Sequence, residues 1–369
     1  MLAGVVGLAL GDQHSMIWKE DGSLWTTAIS LHGLNPSGGV SKYFAQEIAS
    51  GVIAADAGTD FSVVLRRDGS VWAKGRNYQG QLGDGTRVRK AKFEFVLAIT
   101  HAKAVATGVR HTIIVTQEGV VYSTGANKFG QLGDDATSYS IRFRQVMSSR
   151  AKAVAAGEAH SIVLQQDGSV WATGWNCNGQ LGDGTKNDRG SFLEVMPSGV
   201  AHVIAGSQHS MVLKQDGSVW ATGWNGDGQL GDGSTTNRYN YVQVINDEAK
   251  AVAAGIRHSL MLKQDGSVWA TGYNRYGQLG DGWTSSSQIF VKVIFDGATA
   301  VAAGGFHSML LKQDGSIWAT GSNKYGQFGD GSTASKKHFV KLEPFRNGSK
   351  HDQIHMDPSW ALIELMLAK

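Results

Sequence analysis

With 369 residues, 49 Gly, 4 Pro and 41% hydrophobic residues, the chain can build a large core, and its glycines, without collagen periodicity, point to many tight turns. Only 18% of residues are charged and the net charge is +3, which gives no ground for a nucleic-acid or membrane partner. A single cysteine, Cys177, excludes an internal disulfide framework and fits a reducing, intracellular compartment, and no apolar run reaches transmembrane length.

The first segment, Met1 to Leu10, is apolar but lacks a basic flank, and the repeat register makes it a strand rather than a leader. From there an Asp-Gly or Glu-Gly pair recurs at Asp21, Asp68, Glu118, Asp167, Asp216, Asp265 and Asp314, at spacings of 47, 50 and then 49 residues. Gly-x-x-His keeps the same beat at His14, His111, His160, His209, His258 and His307, with Phe61 in the slot of the second unit. A third marker, Asn-x-x-Gly-Gln-Leu-Gly-Asp-Gly, opens at Asn77, Asn176, Asn225 and Asn274, with variants at Asn127 and Asn323. The first unit lacks it. The units run 5–51, 52–101, 102–150, 151–199, 200–248, 249–297 and 298–346.

Each unit reads as four short strands. In the fifth they are Val203 to Ala205, Ser210 to Lys214, Val219 to Thr222 and Tyr241 to Ile245. The Asp216-Gly217 pair predicts a type I′ hairpin between the second and third, with positive φ at both residues. Trp25, Trp72, Tyr122, Trp171, Trp220, Trp269 and Trp318 recur in the third strand as buried wedges between units. Sheets apolar on both faces fit an all-β, seven-bladed propeller of four-stranded antiparallel blades. The array starts at a first strand and ends after a fourth, so face packing can close the ring, while strand exchange stays open. After it, Asp357-Pro358 caps a short apolar C-terminal helix, Trp360 to Lys369, expected to dock on the propeller or on a partner.

Gly-x-x-His-Ser, Asp-Gly-Ser-Val-Trp and Gly-x-Asn-x-x-Gly-Gln-Leu-Gly together resemble the regulator of chromosome condensation repeat family, over about residues 5–346. The resemblance implies the seven-bladed propeller. It leaves function open, since such relatives include a nucleotide exchange factor for a small nuclear GTPase, a plant ultraviolet-B photoreceptor and a bacterial β-lactamase inhibitor. The photoreceptor's tryptophans would fall on Asp12, Thr59, Val109, Glu158, Ser207, Ile256 and Gly305, none of which is tryptophan. Near-constant unit lengths leave no room for the inserted wedge hairpin associated with exchange activity, and a basic N-terminal tail is absent.

The histidines read as structural, because one copy per unit spreads them around a ring, and so do the loop aspartates Asp183, Asp232 and Asp281, which sit between glycines where each can bond nearby backbone N–H groups. No metal or cofactor is expected. Positions shared by all copies serve the fold, so function belongs to positions that differ. These concentrate on the face that carries Gly-x-x-His and the long third-to-fourth loop: Asp60, Phe61, Arg110, Arg257 and Phe306 in the first, and Tyr78, Phe129, Tyr276, Trp283 and Tyr325 in the second. The slot before the loop asparagine adds Trp175, Trp224 and Tyr273. Aromatic and arginine side chains are the usual interface anchors. A basic cluster in unit two (Arg66, Arg67, Lys74, Arg76, Arg87, Arg89, Lys90, Lys92) would suit an acidic partner surface. The expected function is a non-catalytic protein-binding scaffold or an accessory subunit of a larger assembly. A guanine nucleotide exchange factor for a small GTPase is the second reading.

Overall fold

The computed structural model describes residues 4–27, 42–96, 99 and 101–343. Among these the chain forms seven sheets, each of four antiparallel strands in sequence order. Blade five has strands Val200–Ala205, His209–Lys214, Val219–Gly223 and Arg238–Ile245. The inner strand therefore starts three residues before the apolar run, and the outer one three residues before Tyr241. Inner-strand residues of all seven blades, from Leu10 in blade one to Ala303 in blade seven, line one central channel of about 370 Å³. The ring is closed. Among the described residues each blade keeps its own four strands, with none exchanged at the seam between blades seven and one. The C-terminal helix expected at Trp360 to Lys369 lies outside the described residues.

The hairpin between second and third strands is not type I′. Gly217 donates to the Lys214 carbonyl at 3.1 Å and Lys214 to the Ser218 carbonyl at 2.9 Å, which makes a three-residue loop, Gln215-Asp216-Gly217. Only the glycine has positive φ, +81°. This is a type I turn followed by a left-handed residue, the common three-residue hairpin. The Asp216 carboxylate accepts from Ser218 N at 2.9 Å and holds the turn from inside. A Cβ on Gly217 would lie 2.9 Å from the backbone nitrogen of Glu248, whereas one on Gly315, at φ +77°, would meet nothing within 4 Å. Gly315→Ala is therefore expected to cost about 1 kcal/mol for the left-handed backbone alone, and Gly217→Ala about 2–3 kcal/mol. Denaturant midpoints of the two variants test this. Equal losses would mean that the Glu248 contact is irrelevant.

The third-strand tryptophans do lie between blades, but they are only partly buried. Trp220 packs against the core of blade four, Trp269 against blade five and Trp318 against blade six. Each indole N–H bonds the serine of its own hairpin, as Trp220 does to Ser218 at 3.2 Å.

Two further devices join each blade to the next. In the long loop, the buried Asn225 donates to Asp232, Ser234 and Thr236 and accepts from Leu230 N at 3.0 Å. This rigid loop reaches across to the outer strand of the following blade, as in the bridges Asp183–Asn240 and Asp232–Ile289. The Tyr241 ring lies so close to Gly182 that a Cβ there would sit 2.5 Å from it. The Gly-Gln-Leu-Gly-Asp repeat is thus an inter-blade clasp. The second device is a ring of histidines. His160 Nε2 bonds Ser210 Oγ of the next blade at 3.0 Å, and Ser210 Oγ donates to the Gln180 carbonyl at 2.6 Å. The same link runs from His307 across the seam to Ser15 at 2.9 Å. Because serine spends its one proton on the carbonyl, the histidine must donate Nε2–H, and its Nδ1 is left without a partner.

Candidate interaction face

The loop between the first two strands and the loop between the last two emerge together at one end of every blade. Around the channel mouth stand Asp12, Thr59, Val109, Glu158, Ser207 and Ile256. Its charge is one-sided. Glu158 accepts from Ser207 Oγ at 2.8 Å and Gln208 Nε2 at 3.0 Å. Burial pushes the Asp12 carboxyl up to about 6, opposed by the nearby Thr59 hydroxyl and helped by the charges of Asp60 and Glu158. Deeper in, Asp56 is raised by burial too, although Thr107 N and Ala57 N both bond it. Among the described residues no group of three or more His, Cys, Asp or Glu could hold a metal ion.

Outside the mouth the predicted anchors gather into three spots. The largest spans blades five to seven. Arg257 is sandwiched between Trp224 and Tyr273, its guanidinium 4.5 and 4.8 Å from the ring centroids. Phe306 then meets Tyr273 at 5.9 Å and Tyr276 at 5.3 Å, which continues the stack into blade seven. Arg257 also pairs with Asp227 at 2.7 Å, although the two are not aligned as a hydrogen bond. Partial burial raises the Asp227 carboxyl, and Arg257 opposes that rise. The second spot is Phe129 against Trp175, 5.5 Å apart. The third is Tyr78 beneath the Arg76 guanidinium, which pairs with Asp60 at 2.9 Å. Trp283, Tyr78 and Tyr276 are 71%, 56% and 42% exposed, and Arg110 is exposed as well. Tyr325 is half-buried, with Lys324 over its ring.

Three expectations need correction. Phe61 is fully buried and cannot touch a partner. It fills the inter-blade histidine slot, and Asp56 supplies the missing link from blade two to blade three by accepting from Thr107 N at 2.6 Å. Arg257 is an internal strut as much as a surface charge. The basic cluster of unit two is not a patch. Lys74 is buried and paired with Glu47 of blade one, Arg76 is paired with Asp60, and Lys90 with Glu94 and Asp84. Arg66 lies at the opposite end, over Trp72. Asp227 and Gln208 also belong to the face, and neither is an anchor by residue type. Asp227 lies 30 residues from its partner Arg257, with no local signal joining them.

The RCC1-like domain matches residues 1–288, and a regulator of chromosome condensation (RCC1) repeat matches residues 298–327. The chain belongs to the RCC1-like family. No curated protein sequence matches it. Among solved structures it is similar to human WBSCR16, with 20% identity and a TM-score of 0.75 over 82% of this chain and 84% of that one. Prp20p from Saccharomyces cerevisiae, studied for its binding to Gsp1p and histones, gives 20% identity and 0.72 over 84% of each chain. Yeast RCC1 (Prp20) bound to Kap60 gives 18% and 0.76 over 92% of this chain and 85% of that one. At these identities the likeness shows the fold, and this RCC1-like chain must be read from its own loops.

Proposed function

We propose that this RCC1-like propeller is a non-catalytic protein-binding scaffold or an accessory subunit of a larger assembly, and that it binds through the loop face at the channel mouth. One observation carries the reading. Aromatic rings and an arginine cluster at the end of the ring where differences between the copies concentrate, and rigid loops hold them there at low entropic cost. The half-buried stack of Trp224, Arg257, Tyr273 and Phe306 forms a floor, and Tyr276 and Trp283 stand out from it. An intracellular setting is part of the reading, supported by the exposed free thiol of Cys177. The family resemblance keeps a small GTPase among the partners to be tried, and Prp20p has been studied for its binding to Gsp1p and histones.

The test is complex formation in native extract of the source cells, read as the size and yield of the purified assembly. Tyr276→Ala combined with Trp283→Ala is expected to lower association at least tenfold with an unchanged melting midpoint, as is Arg110→Glu. Lys250→Glu, exposed at the far end of blade six, is the control. Equal losses from both ends of the ring would remove this face from consideration. Accelerated nucleotide release from a captured GTPase would move the protein to the exchange-factor reading.

A further inference from the structure

A second binding position lies at the other end of the ring, on the outer edge between blades three and four, and it does not rest on the loop-face reading. In five blades the last residue of the second strand is a cation that covers the wedge indole of its own blade. Lys19 lies 5.0 Å from the Trp25 centroid, Arg66 5.2 Å from Trp72, Lys214 4.3 Å from Trp220, Lys263 5.4 Å from Trp269 and Lys312 4.9 Å from Trp318. Blade three has Thr116 and Tyr122 in these slots. Blade four keeps the tryptophan, Trp171, but carries Gln165 in the cation slot, and no described cation lies over the ring.

The residue directly opposite the ring changes as well. It is Gln46, Phe95, Gln145, Gln243, Lys292 and Lys341 in the other blades, and Glu194 in blade four. Blade four has therefore lost the cation and gained a carboxylate at the same indole. A crevice opens there, bordered by Trp171, Gln165, Glu194, Asp167 and Met147. Arg150 stands on its rim. Hydrogen bonds from Ser169 hold the Asp167 carboxyl below its ordinary value, helped by the Arg150 charge, but no described ion pair joins Arg150 to Glu194. Trp171 keeps its N–H bond to Ser169 at 3.2 Å, so the indole is held in the same pose as its covered counterparts.

We propose that this crevice receives a lysine side chain from a basic segment of a partner protein, which stacks on Trp171 and pairs with Glu194. The other blades show the geometry that such a side chain would adopt. The indole face attracts an ammonium group through its quadrupole, and the carboxylate adds a charge-assisted contact. A neutral side chain has no positive charge for the indole face and can offer the carboxylate only a weaker hydrogen bond.

The test uses the full chain labelled with ¹⁵N at tryptophan, titrated with a tetralysine peptide and with tetraglutamine. The Trp171 indole N–H resonance is assigned by its loss in Trp171→Phe. Tetralysine is expected to shift that resonance saturably, more weakly as salt rises, and tetraglutamine is expected to leave it in place. Glu194→Gln should weaken binding several-fold. Gln165→Lys, which copies blades five to seven, should fold normally, cover the indole from within and weaken binding tenfold or more. Tyr276→Ala with Trp283→Ala should change nothing here, which separates this position from the loop face. No shift with tetralysine, an equal shift with tetraglutamine, or undiminished binding by Gln165→Lys would overturn the proposal.

Discussion

Lowering the pH from 7 to 5 is expected to unfold this propeller at room temperature, through the six histidines of the inter-blade ring. Each is fully buried. Burial pulls His14, His160, His258 and His307 down to about 3, and His111 and His209 down to about 4, from an ordinary 6.5. Protonation would charge an imidazole whose Nδ1 faces no acceptor. Above pH 6.5 both folded and unfolded chains hold these groups neutral, so they cost nothing. As pH falls below 6.5 the unfolded chain takes up protons that the folded chain refuses, and stability is lost until the folded values near 3–4 are reached. Each histidine contributes a slope of about 1.4 kcal/mol per pH unit in that window. Asp12 and Asp56, raised by burial, take up protons in the folded state and offset part of it. The net loss by pH 5 is on the order of 10 kcal/mol, comparable with the whole stability of a typical domain. Denaturant unfolding at half-unit steps from pH 7.5 to 4.5 measures it. His258→Phe, which copies the natural Phe61 of blade two, should remove about a sixth of the slope. A midpoint that does not move between pH 7 and 5 would show that the histidines are not neutral, buried donors.

The period, the four strands per unit and the structural role of the repeated histidines, asparagines and aspartates are all legible in the sequence, for one physical reason. A residue that recurs once per blade bonds the neighbouring blade in the same way each time, and the copies are their own comparison. What escapes is whatever depends on a contact made once. Phe61 looks like an interface aromatic by type, yet its slot points between blades. Lys74 looks like a surface cation, yet it stands where other blades have Thr173 or Thr222, which bridge the preceding loop to the outer strand. Blade one lacks the usual loop marker, and Lys74 fills that junction by pairing with Glu47 beneath Phe93. Two departures in unit two, next to the one degenerate loop, are the sequence's sign that blade two compensates for blade one. The turn type of the Asp-Gly hairpin escapes for a different reason. The end of an apolar run does not tell whether Gln215 belongs to the strand or to the turn, and that one residue changes the turn type.

Phe328→Ala is expected to open the ring at its seam. Among the described residues blades one and seven share no strand, so side chains and a few hydrogen bonds hold them. Ser15 receives His307 and donates to the Gln327 carbonyl, Gly305 N bonds Gly11 O at 3.2 Å, and Gly331 N bonds Lys42 O at 2.7 Å. The apolar part is one cluster in which Val5, Leu10, Ile17 and Phe44 of blade one meet Met309, Leu311, Ile317 and Phe328 of blade seven. Phe328 is fully buried in the slot that other loops fill with leucine, and it shares its core cluster with Phe44 of blade one. Its truncation should cost about 3–5 kcal/mol, as for other buried phenylalanines. Leu181→Ala removes the same slot at the junction of blades four and five, where the chain runs on from one blade to the next, at a cost of about 2–5 kcal/mol. The two variants can therefore lose similar stability and still differ in where they open. Native-state hydrogen exchange should show Phe328→Ala losing protection first in the inner strands Val5–Leu10 and Ala298–Ala303, below the global unfolding energy. Leu181→Ala should lose it evenly through the ring. If both variants lost protection evenly, the seam would be no weaker than any other junction, and face packing alone would close this propeller as firmly as a covalent link.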